Sequence, residues 1–260
     1  MRRYWKLVRF TVAIIGRTLI LVLSLPFRDD RDKTRATHQR RACKVLCEIL
    51  DLRVSVSGDI PSAGALIASN HLSPLDPLII ASKVDVAFAG KVELLRWPVV
   101  GWICRTVGLI GVDRTRRMKT NTLVDAIRAR LRNNICVVAF PEGTTSSGES
   151  VLPFKTGAFA AVENTPDLSV HPTCIAVDSV KPLAAENGGV DLFAWTDSRS
   201  LGEYAWEILS LSNVDLTLKF GDPIVASKDR KLLADYCHKA VCNLHATHDS
   251  ALQNFNLTAQ

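Results

Sequence analysis

The hydrophobic positions change period several times along the chain, and each change marks an element. Between residues 10 and 27 nearly every position is apolar, with no polar stripe. Arg2, Arg3, Lys6 and Arg9 precede this run, and Arg28, Arg31, Lys33 and Arg35 follow it. A spanning helix needs about 20 apolar residues, so the run is marginal for a span. Arg17 near its middle makes a span costlier still. Basic flanks on both sides suit a helix lying in, or dipping into, one leaflet, with Tyr4, Trp5 and the arginines at the headgroups. A signal peptide fits the basic start, but Leu25-Pro26-Phe27 is no small-residue cleavage site. A buried helix of the globular body is the remaining alternative.

Beyond the apolar run, residues 33–50 predict a helix with Ala42, Leu46 and Ile49 on one side. Leu52, Val54 and Val56 alternate as in a strand. The apolar run 65–68 predicts a central strand that delivers Asn70 and His71 to its C-terminal end. Ser73 to Asp76 begins a helix running to about residue 82, and 84–88 is the next strand. Residues 94–107 predict a helix broken at Pro98 and Gly101, and 109–112 a short strand leading to Asp113-Arg114. Leu123, Ile127 and Leu131 form one stripe of a helix over 119–132. Residues 135–140 are a fully apolar strand ending at Pro141. A short helix over 158–162, a buried strand over 174–177, an alternating strand through Val214, Leu216, Leu218 and Phe220, and a closing helix over 228–248 complete the pattern. Alternating strands and helices predict an α/β fold: a mixed, largely parallel sheet flanked by helices, preceded by an N-terminal membrane-associated helical segment. Residues 1–50 make up that basic and apolar segment, and 51–260 the sheet domain.

Composition sharpens this picture in two places. Of the 260 residues 47% are hydrophobic and 22% charged, with a mean hydropathy of +0.13, so both a core and membrane contact are expected. Residues 1–41 hold eleven Lys/Arg against three Asp/Glu, whereas the rest holds 21 against 23. The basic character therefore belongs to the N-terminal segment, where it suits an anionic leaflet. A nucleic-acid-binding body would carry its own basic face, and no nucleic-acid partner is expected. The seven cysteines are scattered with no C-x-x-C pair, which argues against a disulfide framework or a zinc site and for a reducing, cytoplasm-facing setting. Cys136 and Cys174 read as small buried hydrophobes.

Candidate chemistry is concentrated in two motifs, Asn70-His71-Leu72-Ser73-Pro74-Leu75-Asp76 and Phe140-Pro141-Glu142-Gly143-Thr144. Ser73-x-x-Asp76 with Pro74 reads equally well as a helix cap. In the catalytic reading Asp76 fixes the tautomer of His71 and stabilises its imidazolium. The nucleophile is then a substrate hydroxyl, because no G-x-S-x-G elbow is present. The second motif reads as an ordinary turn, or as one where Gly143 lets the backbone approach substrate and backbone N–H groups meet an oxyanion. His245 and His248 lack a third metal ligand and read as surface residues, and His171 as polar packing. A lipid-binding protein without chemistry and a hydrolase that uses water are rival readings of the same residues.

Four motifs in order decide between them: Asn70-His71-x-Ser73-x-x-Asp76, Gly111-Val112-Asp113-Arg114, Phe140-Pro141-Glu142-Gly143-Thr144 and His171-Pro172. The chain resembles the glycerolipid acyltransferase family, typified by 1-acylglycerol-3-phosphate acyltransferases, over roughly residues 50–225. The resemblance implies that 51–260 is an acyltransferase domain on the cytoplasmic face of the inner membrane. It would move a fatty acyl group from acyl-CoA or acyl-carrier protein to a lysophospholipid hydroxyl, giving phosphatidate, with no metal or cofactor. It also implies His71 as general base and Asp76 as its orienting carboxylate. Asn70, Ser73, Lys91, Arg114, Glu142, Gly143, Thr144 and Pro172 fall at motif positions expected to bind substrate. Of these, Arg114 would hold the acceptor phosphate, Glu142 and Gly143 its hydroxyls or phosphate, and Pro172 would shape the pocket. One departure stands out. Many phosphatidate-forming members carry arginine directly after Glu-Gly-Thr, where this chain has Thr145, and arginine there would clamp a phosphate. Arg116, Arg117 or Lys155 would have to compensate. The Thr-Thr-Ser sequence followed by Val151-Leu152-Pro153-Phe154-Lys155 is similar to members that acylate lyso-ornithine lipid, the second acceptor the resemblance offers.

Overall fold

The computed structural model describes residues 1–61, 64–112, 120–181, 190–196, 199–226 and 229–258. Helix α1 (Arg2–Ser24) ends in a 3₁₀ turn (Leu25–Phe27), and α2 (Arg31–Ile49) packs back along it. Asp30 caps α2, its carboxylate accepting the Lys33 N–H at 2.9 Å. Strands β1 (Leu52–Ser57) and β2 (Leu66–Ser69) follow, then α3 (Asp76–Ala81), β3 (Val86–Lys91), a 3₁₀ turn (Val92–Arg96), α4 (Pro98–Thr106) and β4 (Ile110–Val112). Next come α5 (Thr120–Arg132), β5 (Cys136–Ala139), a 3₁₀ turn (Ala158–Ala161) and β6 (Ser169–Lys181). The chain continues through α6 (Val190–Phe193), α7 (Leu201–Ile208), β7 (Ser212–Phe220), β8 (Ile224–Val225) and α8 (Arg230–Thr258).

The strands form one sheet in the order β1-β7-β6-β2-β5-β3-β4, with β8 against the start of β6. Only β7 and β8 run antiparallel to β6, and the other described pairings are parallel. This is the mixed, largely parallel sheet that the sequence predicts. Its central strands are buried on both faces, so they read as continuous apolar runs. Their side chains still alternate. Ile67, Val138 and Ile175 pack with α2, α3 and α7, while Leu66, Val137 and Cys174 pack with α5 and α8. Cys136 and Cys174 are buried, as expected of small hydrophobes.

Several boundaries differ from the sequence reading. Pro98 opens α4 instead of interrupting a helix, as suits a residue with no N–H to donate. Gly101 lies inside α4 and does not break it. A Cβ there would sit 2.4 Å from the Leu95 carbonyl oxygen, so glycine lets the preceding 3₁₀ turn approach the helix. The strand expected over 174–177 is thirteen residues long, because buried His171 and Thr173 interrupt its apolar pattern. Helix α7, to which the periodicity assigns no element, starts at a capping box between Ser200 and Glu203. The closing helix runs on to Thr258.

The N-terminal segment is no core helix: only 11% of its apolar window is buried, at a mean hydropathy of 2.0. Residues Arg2–Phe27 are long and apolar enough to cross a membrane by length and composition. Trp5, Val12, Ile15, Ile20, Leu23 and Phe27 are exposed. Leu21, Thr18 and Lys6 face the body. Lys6 is 5% exposed. Its Nζ donates to the Leu211 carbonyl at 2.7 Å and pairs with Asp51 at 2.8 Å. A buried ammonium persists only with such partners. Lys6→Met should therefore lower stability by about 1–3 kcal/mol through the unpaired groups it leaves. Thermal denaturation in detergent, with limited proteolysis of α1, measures this, and unchanged resistance would show that Lys6 does not tether the helix.

Candidate active site

The chain leaves β2 through α3 toward β3 on one side, and reaches β6 from β5 on the other. The crevice between the C-terminal ends of β2 and β5 is thus a switch point, where open sheets of this type bind ligands. Parallel pairing sets Leu66 opposite Val137 and Ala68 opposite Ala139. Continued past the strand ends, that register brings His71 beside Glu142. The two sequence motifs meet for this reason.

Each backbone group of His71 and Leu72 has a partner. The His71 N–H donates to Glu142 Oε1 at 3.0 Å, and the His71 carbonyl accepts the Ser146 N–H at 2.9 Å. The Leu72 N–H donates to Asp76 Oδ2 at 2.6 Å, and the Leu72 carbonyl accepts the Trp195 N–H at 2.8 Å. Asp76 has no exposed surface. Its Oδ2 also accepts the Ser73 N–H at 2.9 Å and lies 2.8 Å from His71 Nδ1, while Oδ1 accepts the Ser73 hydroxyl at 3.1 Å. The cap and the histidine-orienting carboxylate are therefore the same group. Donors already surround Oδ2, so Nδ1 carries the imidazole proton and Nε2 holds the lone pair. The imidazole stacks on Phe140 at 4.1 Å and 18°. Nε2 has no hydrogen-bond partner among the described residues, and His71 lines a cavity of about 550 Å³.

The remaining predicted residues take more varied positions. Asn70 is buried, and its amide spans the Ile175 main chain, accepting the N–H at 2.7 Å and donating to the carbonyl at 3.0 Å. Ser73 is buried against Asp76. Both hold the His71 loop, and neither lines the cavity. Pro172 lies buried in β6 opposite Ala68 and away from the cavity. Lys91 ends β3 opposite Val112. Arg114 lies outside the described residues, as do Asp113, Arg116 and Arg117.

Gly143 has φ +76, and its N–H closes the turn onto the Phe140 carbonyl at 3.1 Å. That N–H is thus engaged within the turn. A Cβ here would lie 2.5 Å from Lys155 Nζ, so glycine lets the Lys155 side chain cross the turn. Thr144 and Thr145 line the cavity, and their N–H groups have no acceptor among the described residues. Glu142 is 3% exposed and its Oε2 has no hydrogen-bond partner among the described residues. Burial pushes its pKa up to about 7, against the opposing pull of the His71 and Leu152 N–H groups.

His245 and His248 are not surface residues. His245 Nε2 meets the Gly148 carbonyl at 2.8 Å, and buried His248 meets the Val177 carbonyl at 3.2 Å. They fasten α8 to the loop after the second motif and to β6. Trp195, which lines the site, was not singled out by sequence, since a single aromatic residue carries no spacing signal; Phe140 opens the second motif, but its stacking on His71 was not anticipated.

Comparison with known proteins agrees with this geometry. The Acyltransferase family model matches residues 51–176. The lyso-ornithine lipid O-acyltransferase of Brucella abortus is 31% identical over 200 residues, covering 74% of this chain and 75% of that protein. The corresponding protein of Rhizobium meliloti is 32% identical over 216 residues, 79% of this chain and 71% of its own. The chain belongs to the glycerolipid acyltransferase family. Another relative, the 1-acyl-sn-glycerol-3-phosphate acyltransferase of Neisseria meningitidis, is 33% identical over 199 residues, 74% of each chain. The crystal structure of the acyltransferase PlsC from Thermotoga maritima superposes with a TM-score of 0.66 at 23% identity, covering 95% of this chain and 97% of that one, and shows a shared fold. As a family member the protein is an acyltransferase of the lysophospholipid type, with an acyl donor and a lipid acceptor as substrates.

The buried Glu142 carboxyl gives a pH signature. Its folded pKa lies above its ordinary value, so on raising the pH the unfolded chain loses this proton first. The stabilisation is full below about 4.5 and is lost as pH climbs toward about 7. Glu142→Gln keeps an acceptor for the His71 N–H and removes this titration. Melting temperatures across that window should fall with pH less steeply in Glu142→Gln than in wild type. Parallel curves would show that Glu142 does not titrate there.

Proposed function

We propose that the protein transfers a fatty acyl group from an acyl thioester, on coenzyme A or acyl-carrier protein, to a lysolipid hydroxyl, with His71 as the general base. The observation that carries this reading is the His71–Asp76 pair at 2.8 Å on the wall of an apolar cavity. Nε2 takes the proton of the acceptor hydroxyl as its oxygen attacks the thioester carbonyl. The Thr144 and Thr145 N–H groups meet the oxygen of the tetrahedral intermediate. On collapse the C–S bond breaks and the imidazolium returns its proton to the leaving thiolate. The donor's acyl chain lies in the cavity, whose size falls within the range of small-molecule sites. The exposed apolar side of α1 and its basic residues support seating on the cytoplasmic face of the inner membrane.

For the acceptor we infer lyso-ornithine lipid ahead of 1-acylglycerol-3-phosphate. Thr145 stands in the cavity wall where many phosphatidate-forming members carry arginine, and a threonine offers no bidentate phosphate clamp. The relatives from Brucella and Rhizobium support the same choice. Lys155 beside Gly143 and the Neisseria relative favour the phosphate acceptor as the second reading.

His71→Ala should lower acyl transfer by about 10²–10⁴-fold. The assay is labelled acyl thioester with each lysolipid in vesicles, and wild-type turnover in the variant would remove the proposed base. In the same assay Thr145→Arg should raise the ratio of phosphatidate to ornithine lipid formed. An unmoved ratio, or phosphatidate as the only wild-type product, would assign the acceptor to the second reading.

A further inference from the structure

The cavity that begins at His71 is not apolar throughout. Where α1 crosses α2, Arg17, Thr18, His38 and Gln39 also line it. Gln39 is 9% exposed, and its carboxamide makes no hydrogen bond to any described residue. Its Oε1 is the buried atom left without a partner among the described residues, which is unfavourable. His38 Nε2 donates to the Arg17 carbonyl at 2.7 Å, which leaves Nδ1 as an acceptor. Burial holds the His38 pKa below its usual value, and the neutral ring is thereby favoured. The Thr18 hydroxyl donates to the Ile14 carbonyl at 2.8 Å and keeps its own lone pairs for an incoming donor.

Gln39 lies in the first half of α2. Thr37 and Arg40 on either side hold Asp85 at 2.8 and 2.6 Å, just ahead of β3. That part of α2 therefore lies toward the N-terminal ends of the parallel strands, away from His71. A chain whose thioester carbonyl sits at His71 meets Gln39 well along its length.

We propose that the cavity selects a donor acyl chain with a hydroxyl group in its middle portion, bound by the unpartnered Gln39 carboxamide with His38 and Thr18 beside it. A hydroxyl both donates and accepts, so it satisfies either end of the amide. An unsubstituted chain leaves the amide unpaired, and a hydroxyl close to the carbonyl does not reach it. The inference rests on the acyl-transfer reading, which puts the donor's chain in this cavity.

Competition between stearoyl, 3-hydroxystearoyl and mid-chain hydroxystearoyl thioesters, for wild type and for Gln39→Leu, tests it. Wild type should favour the mid-chain hydroxyl over the plain chain by about three- to tenfold in kcat/KM, with no such preference for the 3-hydroxyl chain. Gln39→Leu fills the same space without an unpaired amide, and the ratio should reverse toward the plain chain. Because the ratio is read within each protein, a general loss of stability does not move it. Equal ratios in the two proteins, or a wild-type preference for the plain chain, overturn the proposal while transfer itself still supports the acyltransferase reading. Transfer of none of the three thioesters would remove that reading, and this proposal with it.

Discussion

A carboxylate with no exposed surface is tolerated only where donors meet its lone pairs, and Asp76 imposes that condition on its neighbours. The Leu72 and Ser73 N–H groups must turn inward, which bends the chain sharply after β2. The Ser73 hydroxyl must follow, and the one donor left for Oδ2 is the His71 ring. Helix α3 has only six residues and would not form alone. It is held by wholly buried Ile79 and Ile80, each contributing about 1.5–3 kcal/mol. Packing of α3 therefore sets the position of Asp76, and Asp76 sets the imidazole.

The second half of the site follows from sheet register. Parallel strands β2 and β5 pair with a constant offset of 71 residues, and the same offset separates His71 from Glu142. On its other side β2 pairs with β6, and there the Asn70 amide takes over where main-chain pairing ends, bonding both polar groups of Ile175. With that edge closed by a side chain, the main chain of His71 is free to turn toward the Glu142 loop. Glu142 and Ser146 then hold the residue from both its N–H and its carbonyl. Asn70, Ser73 and Glu142 all fix the backbone around His71.

The alternation of strands and helices was legible because buried parallel strands give apolar runs and outer helices give striped ones. The long β6 was not, since its register is completed by His171 and Thr173, whose burial depends on strands far away in sequence. His245 and His248 failed for the same reason: a helix face reads as polar when its partners are main-chain carbonyls of distant residues. Gly143 was legible as a glycine position, and the fold adds a local reason: its φ of +76 is a conformation that L side chains rarely adopt, with the Lys155 side chain crossing beside it. Spacing therefore picked out the two motifs that meet beside β2 and β5, while the contacts each of their residues makes needed the third dimension.

Helix α1 has two jobs that cannot be separated. Its outer side is apolar and exposed, which as proposed meets lipid, while Ile14, Thr18 and Leu21 on the inner side form cavity wall. The pairing of Lys6 with Asp51 and the Leu211 carbonyl fixes one end of the helix, and the His38 bond to the Arg17 carbonyl fixes its middle. An acyl chain entering from a bilayer would, on the proposed seating, pass from lipid to a wall made by the helix that meets it. The chain would remain in apolar surroundings along most of that route, so little hydrophobic driving force favours one plain chain over another. Discrimination at such a site has to come from the cavity's shape or from its few polar groups, and apart from those beside His71 these lie where the two helices cross.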